Sequence, residues 1–129
     1  MKKTFLSLLI LLSSVAVMAA SFPKGDAVYR FVNVATGNAV TNGDVAARNT
    51  YLSVAAVNET SKGQEWTLVP LSDKEPLFML YNEHYGQAAD MTSNPGKLLQ
   101  WEGTCTDNQT FFVNVVDEES CEAHCLKRS

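Results

Sequence analysis

After residue 20 the apolar positions come in short runs interleaved with polar ones, and every run stops at turn chemistry. Tyr29-Arg30-Phe31-Val32 mixes aromatic, polar and β-branched residues before Thr36-Gly37-Asn38 breaks it. Thr50 to Val57 is a second β-rich run, closed by Asn58, and Trp66 to Leu71 ends at Ser72-Asp73-Lys74-Glu75-Pro76. Leu77 to Tyr81, Leu98 to Trp101 and Phe111 to Val116 continue the pattern, separated by Gly86, Asn94-Pro95-Gly96 and Thr106-Asp107-Asn108. Runs of this length bounded by Gly, Pro, Asn and Asp predict strands. No window after residue 20 carries a 3.6-residue apolar period of helix length. Many short strands at near-regular spacing predict an all-β sandwich or barrel.

The pattern also repeats. Tyr29, Phe31, Asn33 and Gly37 recur as Phe78, Leu80, Asn82 and Gly86 at a constant offset of 49 residues. Gln64 and Trp66 recur as Gln109 and Phe111 at an offset of 45. The four-residue difference falls between the glycine and the glutamine, where the second copy is shorter. Order, spacing and residue type agree, so the chain holds two copies of one β unit, at about 28–72 and 77–117.

The first 20 residues break the pattern. Lys2 and Lys3 precede a short apolar run from Phe5 to Met18, and the small residues Ala19 and Ala20 follow. This is the three-part form of a secretory signal peptide cleaved near Ala19 or Ala20. The run is short for a bilayer span, which needs about 20 apolar residues. The expected destination is secretion, the periplasm or the cell surface, with no membrane anchor in the mature form. Removing residues 1–20 leaves eight basic residues against fourteen acidic ones, a net charge of −6. Such a balance repels phosphate backbones, so nucleic acid is not an expected partner. Cys105, Cys121 and Cys125 make an odd count in an oxidising compartment. Cys121, His124 and Cys125 match no common zinc spacing, and no metal or other cofactor is expected. Residues 120–129 are expected to be a polar tail carrying incidental cysteines.

The Gln-x-aromatic that closes each repeat, Gln64-Glu65-Trp66 and Asn108-Gln109-Thr110-Phe111, resembles the Gln-x-Trp signature of ricin-B-type lectin domains. The second copy resembles the family over most of its length: Gly86, Asp90, then Gly96-Lys97-Leu98-Leu99-Gln100-Trp101, then Asp107-Asn108-Gln109. The similarity covers about residues 28–117. It implies an all-β, β-trefoil-like fold, in which three repeats surround a pseudo-threefold axis, here with two of three repeats within residues 21–119. It also implies a non-catalytic carbohydrate-binding module whose partner is a glycan.

A pyranose presents a flat C–H face and a rim of hydroxyls. An aromatic ring covers the face, while a carboxylate and an amide pin the hydroxyls. By the resemblance, Asp90 accepts hydroxyl protons, Trp101 stacks on the ring, Asn108 contacts a hydroxyl and Gln109 braces the site. Gln100 is the weaker member of the set, because it is adjacent to Trp101 and neighbouring strand residues point to opposite faces. The structural alternatives are a Trp101 buried on the face of Leu99 and an Asp90 that caps the following turn. In the first repeat Thr41 stands at the place of Asp90, Val54 roughly at that of Trp101, and Gly63 replaces Asn108, which marks that copy as structural. His84 and His124 neighbour no nucleophile in a recognised order, so no enzyme activity is expected. Asn58-Glu59-Thr60 and Asn108-Gln109-Thr110 match the glycosylation sequon but are discounted beside a bacterial-looking leader.

Two repeats alone expose strand edges and core surface. Truncation of a longer secreted protein, self-association that completes the barrel, and a smaller barrel that needs no third unit are the three explanations, of which truncation is favoured. The runner-up function is a structural or protein-interaction trefoil without sugar binding.

Overall fold

The same five-residue turn opens both repeats and shows why the sequence recurs. Gly37 N donates to the Asn33 carbonyl at 2.8 Å, and Gly86 N donates to the Asn82 carbonyl at 2.8 Å. Both glycines have positive φ, +73° and +65°, a conformation that costs glycine nothing and other L-residues more. The asparagine side chains hold the turns from inside: Asn33 Oδ1 accepts from Ala35 N and Thr36 N, and Asn82 Oδ1 from Tyr85 N. Asn-x-x-x-Gly is therefore a folding instruction that reverses the chain between the first two strands of each copy.

The computed structural model describes residues 6–12, 27–93, 96–115 and 120–125, with side chains for 27–93, 96–113 and Cys125. Among these the elements are β1 (Leu6–Leu12), β2 (Val28–Asn33), β3 (Asn38–Thr41), β4 (Ser53–Ala56), β5 (Trp66–Pro70), β6 (Leu77–Asn82), β7 (Gln87–Met91), β8 (Leu98–Trp101), β9 (Phe111–Val115) and β10 (Ser120–Cys125). Single 3-10 turns at Lys62–Gln64 and Asp107–Gln109 precede β5 and β9.

All ladders are antiparallel, and six of the strands close a ring. β2 pairs with β5, β5 with β6, β6 with β9, β9 with β10, β10 with β1, and β1 with β2. Two hairpins branch from this barrel: β3–β4 from β2 and β7–β8 from β6. Each repeat thus contributes two barrel strands and one hairpin. Closure, expected to need a third repeat, is made by the two chain ends. Residues 120–125, expected as a tail, form β10 in register with β9, from Cys121 opposite Val115 to Cys125 opposite Phe111. The apolar Leu6–Leu12, expected as part of a leader, pairs with β2 from Leu8↔Asn33 to Leu12↔Tyr29. A short apolar run satisfies either role, because its seven residues suit a strand as well as a leader core.

The core follows the repeat. Tyr29, Phe31, Trp66 and Leu68 from the first copy meet Phe78, Leu80, Phe111 and Val113 from the second, with Val40 and Ala89 supplied by the hairpins. Trp66 and Phe111 are each 1 % exposed, which settles them as core and not as ligand contacts. Their conserved partners in the repeat, Gln64 and Gln109, are 2 % and 0 % exposed and act as internal braces. Gln64 Nε2 donates to the Ala56 carbonyl and its Oε1 accepts from Asn58 N. Gln109 Nε2 donates to the Glu102 carbonyl and its Oε1 accepts from Thr104 N. Each glutamine ties the end of its hairpin to the start of the next barrel strand, replacing the ladder bonds that the loop lacks.

β3, β7 and β10 escaped the hydrophobic pattern. Gln87-Ala88-Ala89-Asp90-Met91 has no β-branched residue, and its strand state comes from pairing with β6 and β8. The Thr50–Val57 run is only partly strand: β4 starts at Ser53, and the residues before it leave their own hairpin to dock on β8.

Candidate functional site

The β7–β8 ladder pairs Ala88 with Trp101, Ala89 with Gln100, and Asp90 with Leu99. Directly opposed residues share a face, and alternate residues along a strand share it too. Asp90, Ala88, Leu99 and Trp101 therefore stand on the outer face of the hairpin, while Ala89 and Gln100 point inward. The 3-10 turn at Asp107–Gln109 delivers its side chains to the same place. Asn108 Nδ2 donates to Asp90 Oδ1 at 2.7 Å, and Gln109 Nε2 donates to Asp90 Oδ2 at 2.8 Å. Asn108 Oδ1 accepts from Thr106 Oγ1 at 2.6 Å, which fixes the amide so that its nitrogen faces Asp90. Asp90 is 8 % exposed, enough for its rim to meet solvent.

The bonding inventory shows what this arrangement can do. An ionised carboxylate offers about four acceptor positions. Two are occupied by protein amides, so each oxygen of Asp90 keeps room for a further donor. Asn108 Nδ2 keeps a second N–H. Acceptors and a donor thus sit side by side on the face that also carries the half-buried Trp101, the combination that a pair of neighbouring hydroxyls on an apolar ring would use.

Four of the five residues named from sequence come together here: Asp90, Asn108 and Gln109 by direct hydrogen bonds, and Trp101 by sharing the face. Gln100 does not. It is fully buried, its Oε1 accepts from Asn42 Nδ2 at 3.0 Å, and its Nε2 donates to the Val45 and Ala47 carbonyls at 2.7 Å each. It anchors the long β3–β4 connection, residues 42–52, against β8. The backbone completes that docking through Asn49 N to the Gln100 carbonyl, Gln100 N to the Thr50 carbonyl and Leu52 N to the Leu98 carbonyl. By the two ladders, three of the four extra residues of the first copy lie in this loop that crosses to the second, and the fourth lies between β4 and Gln64.

This crossing brings residues that no local motif announced. Arg48 sits with Cζ 4.9 Å from the Trp101 ring centroid and its Nη1 3.0 Å from Glu102 Oε1. Tyr51 forms an antiparallel bridge with Leu99, and Lys97 Nζ stands 5.4 Å from the Tyr51 ring centroid. Tyr51 is far from Asp90 in sequence, so only the fold could reveal its place.

The first repeat has a different arrangement at the equivalent position. Thr41 opposes Ser53, as Asp90 opposes Leu99, and by the same ladder Ala55, not Val54, stands at the place of Trp101. Asp44, from the long connection, fills the space beside Gly63: its Oδ1 accepts from Gly63 N at 2.7 Å and Tyr85 OH at 3.2 Å, and its Oδ2 from Ser61 Oγ at 2.8 Å. The Ser61 hydroxyl, then the Gly63 amide, hold this carboxyl below its ordinary pKa against a smaller opposing effect of desolvation. Desolvation, then the hydrogen bond to Asp44, raises the Tyr85 hydroxyl above its own.

Comparison with known proteins agrees with this geometry. Residues 18–101 match the family model described as ricin-type beta-trefoil lectin domain-like. No curated protein matches the chain. Among solved structures, the crystal structure of a designed 3-fold symmetric protein, ThreeFoil, is similar with a TM-score of 0.59 and 22 % identity, over 71 % of this chain and 67 % of that one. At that identity the likeness speaks for the fold: an all-β trefoil architecture.

Proposed function

Because the chain belongs to the ricin-type β-trefoil lectin domain-like family, we propose that it is a secreted, non-catalytic carbohydrate-binding protein that takes its glycan at the second repeat. The observation that carries this reading is the Asp90 carboxylate held by Asn108 and Gln109 on the face that also presents Trp101. Asp90 accepts from two sugar hydroxyls, Asn108 donates to one of them, and Trp101 covers the C–H face. Gln109 holds Asp90 in place without touching the sugar. The first repeat takes none, since the Asp44 carboxylate there is engaged by three protein donors.

Residues 1–20 direct export in this reading and are removed near Ala19 or Ala20. Removal takes β1 out of the ring and leaves β2 and β10 with open edges. Those edges pair with the same edges of a second copy, so that self-association completes the barrel.

The test is a glycan array probed with the exported protein beside its Asp90→Ala and Trp101→Ala variants, after mass spectrometry of the N-terminus and light scattering. Binding by the wild type that disappears in both variants supports a lectin with one working repeat. A folded, exported protein that binds no glycan sinks the reading. It would leave a protein-interaction trefoil, which the Arg48 guanidinium already lying over Trp101 favours. Retention of residues 1–20 in the exported protein, or a monomer lacking them, would overturn the export and pairing parts separately.

A further inference from the structure

The outer face of the β7–β8 hairpin does not end at β8. Leu99 is opposed by Asp90 on one side and by Tyr51 on the other, so Asp90, Leu99 and Tyr51 form one row across three strands, all projecting outward. Leu52 N donates to the Leu98 carbonyl and Gln100 N to the Thr50 carbonyl, which makes Tyr51 and Leu99 a close, non-hydrogen-bonded pair with adjacent side chains. Tyr51 is 53 % exposed although the backbone on both sides of it is bonded to β8. Lys97, also exposed, holds its ammonium 5.4 Å from that ring. Among the described residues no carboxylate forms an ion pair with Lys97, whereas Arg48, the other cation of this face, is matched by Glu102.

Resting on the carbohydrate reading of the Asp90 site, we infer that the site continues across the hairpin to Tyr51 and Lys97, and that its ligand is an oligosaccharide whose neighbouring unit bears an anionic group, a carboxylate or a sulfate. Two strand spacings separate Asp90 from Tyr51, on the order of 10 Å, which is more than one pyranose ring covers. A ligand touching both residues has at least two sugars. The second ring lies against Tyr51, and its anionic substituent meets Lys97. An exposed ammonium over a tyrosine ring is held weakly and turns readily toward an anion. The Asp90 charge does not cancel it, because two strand spacings of solvent-facing surface, on the order of a Debye length, separate that carboxylate from the Tyr51 end of the row.

The experiment is titration calorimetry of the full chain with three matched pairs: tetragalacturonate and its methyl ester, N-acetyllactosamine with and without a 6-sulfate, and sialyllactose and lactose. Galactose and N-acetylgalactosamine serve as single sugars. The anionic member of at least one pair binds about threefold or more tightly than its neutral counterpart, as expected for one exposed ion pair. The pair that responds distinguishes carboxylate from sulfate. Lys97→Gln brings that ratio to one and leaves the neutral member unchanged. Tyr51→Ala weakens both members and leaves single sugars unchanged. Thermal melts check that each variant is folded. Equal binding of both members in all three pairs, or a preference that survives Lys97→Gln, overturns the inference and leaves the Asp90 site standing. Anionic preference that persists in Asp90→Ala overturns the continuity of the two subsites. A wild type that binds no sugar of any kind overturns the carbohydrate reading and this one with it.

Discussion

Asp90 and Gln109 are joined by a buried hydrogen bond, Gln109 Nε2 donating to Asp90 Oδ2 at 2.8 Å. The same nitrogen donates to the Glu102 carbonyl, and the amide oxygen accepts from Thr104 N. One side chain therefore closes the hairpin and aims the carboxylate. In the first repeat Gln64 performs only the first task.

Gln109→Ala strands a backbone N–H, a carbonyl and a carboxylate oxygen in the interior. Stability should fall by about 2 kcal/mol or more, and glycan affinity with it. Gln64→Ala should destabilise the fold by about as much while leaving affinity unchanged. Urea denaturation and calorimetry on both variants check the pair; an unchanged affinity in Gln109→Ala would show that Asp90 needs no brace.

Gln100→Ala removes the latch that holds residues 42–47, made of bonds to Asn42, Val45 and Ala47. The expected result is a loss of about 1–3 kcal/mol and faster proteolytic cleavage within the 42–52 connection. Binding of a single sugar should persist. Loss of that binding in a variant of normal stability would put Gln100 in the site after all.

Gly63→Ala should be costly for a reason unrelated to glycine's flexibility. A Cβ there would lie 2.8 Å from the Asp44 backbone nitrogen and closer still to Asn42 Oδ1. Asn42 is 1 % exposed and bonded to Gln100, so it has no room to retreat. A loss of about 1–3 kcal/mol is expected, measured by chemical denaturation. The residue at this position in the second repeat is Asn108, whose side chain bonds Asp90.

Acid and alkali should each remove one contact of the Asp44–Tyr85 pair. The Asp44 carboxyl titrates below its ordinary 3.8, so its contribution is present above that pH and fades as pH falls through the lowered value. The Tyr85 hydroxyl titrates above its ordinary 10.0, so its contribution is present below that pH and fades as pH rises through the raised value. Asp44 is exposed and Tyr85 half-buried, so the effects are screened and small. Asp44→Asn, which tolerates the φ of +59° at this position, should flatten the acid limb of a urea-midpoint profile, and Tyr85→Phe the alkaline limb. Unchanged profiles in both would remove the pair from the stability balance.

The repeat, its turns and its braces were legible because each rests on local chemistry. Asn33 with Gly37, and Asn82 with Gly86, encode a turn within five residues, and Gln64 and Gln109 stand at fixed distances from the aromatics they accompany. Asp90 and Asn108 were legible through a motif, and the alternation of strand residues already separated Gln100 from Trp101. The strand β7 was not, since its alanines carry little strand preference of their own. Nor was β10, whose polar residues become a strand by pairing with β9 and β1.

The sequence by itself thus determined the β repeat, the turn positions and the second copy as the one with polar groups to offer, because near-neighbour periodicity and turn chemistry are properties of the chain. Only the tertiary structure decided how the ring closes, that residues 42–52 cross to β8, and that Tyr51 stands in line with Asp90. Those relations depend on which strands pair, and pairing is settled by burial summed over the whole barrel, a quantity that no short stretch of sequence contains.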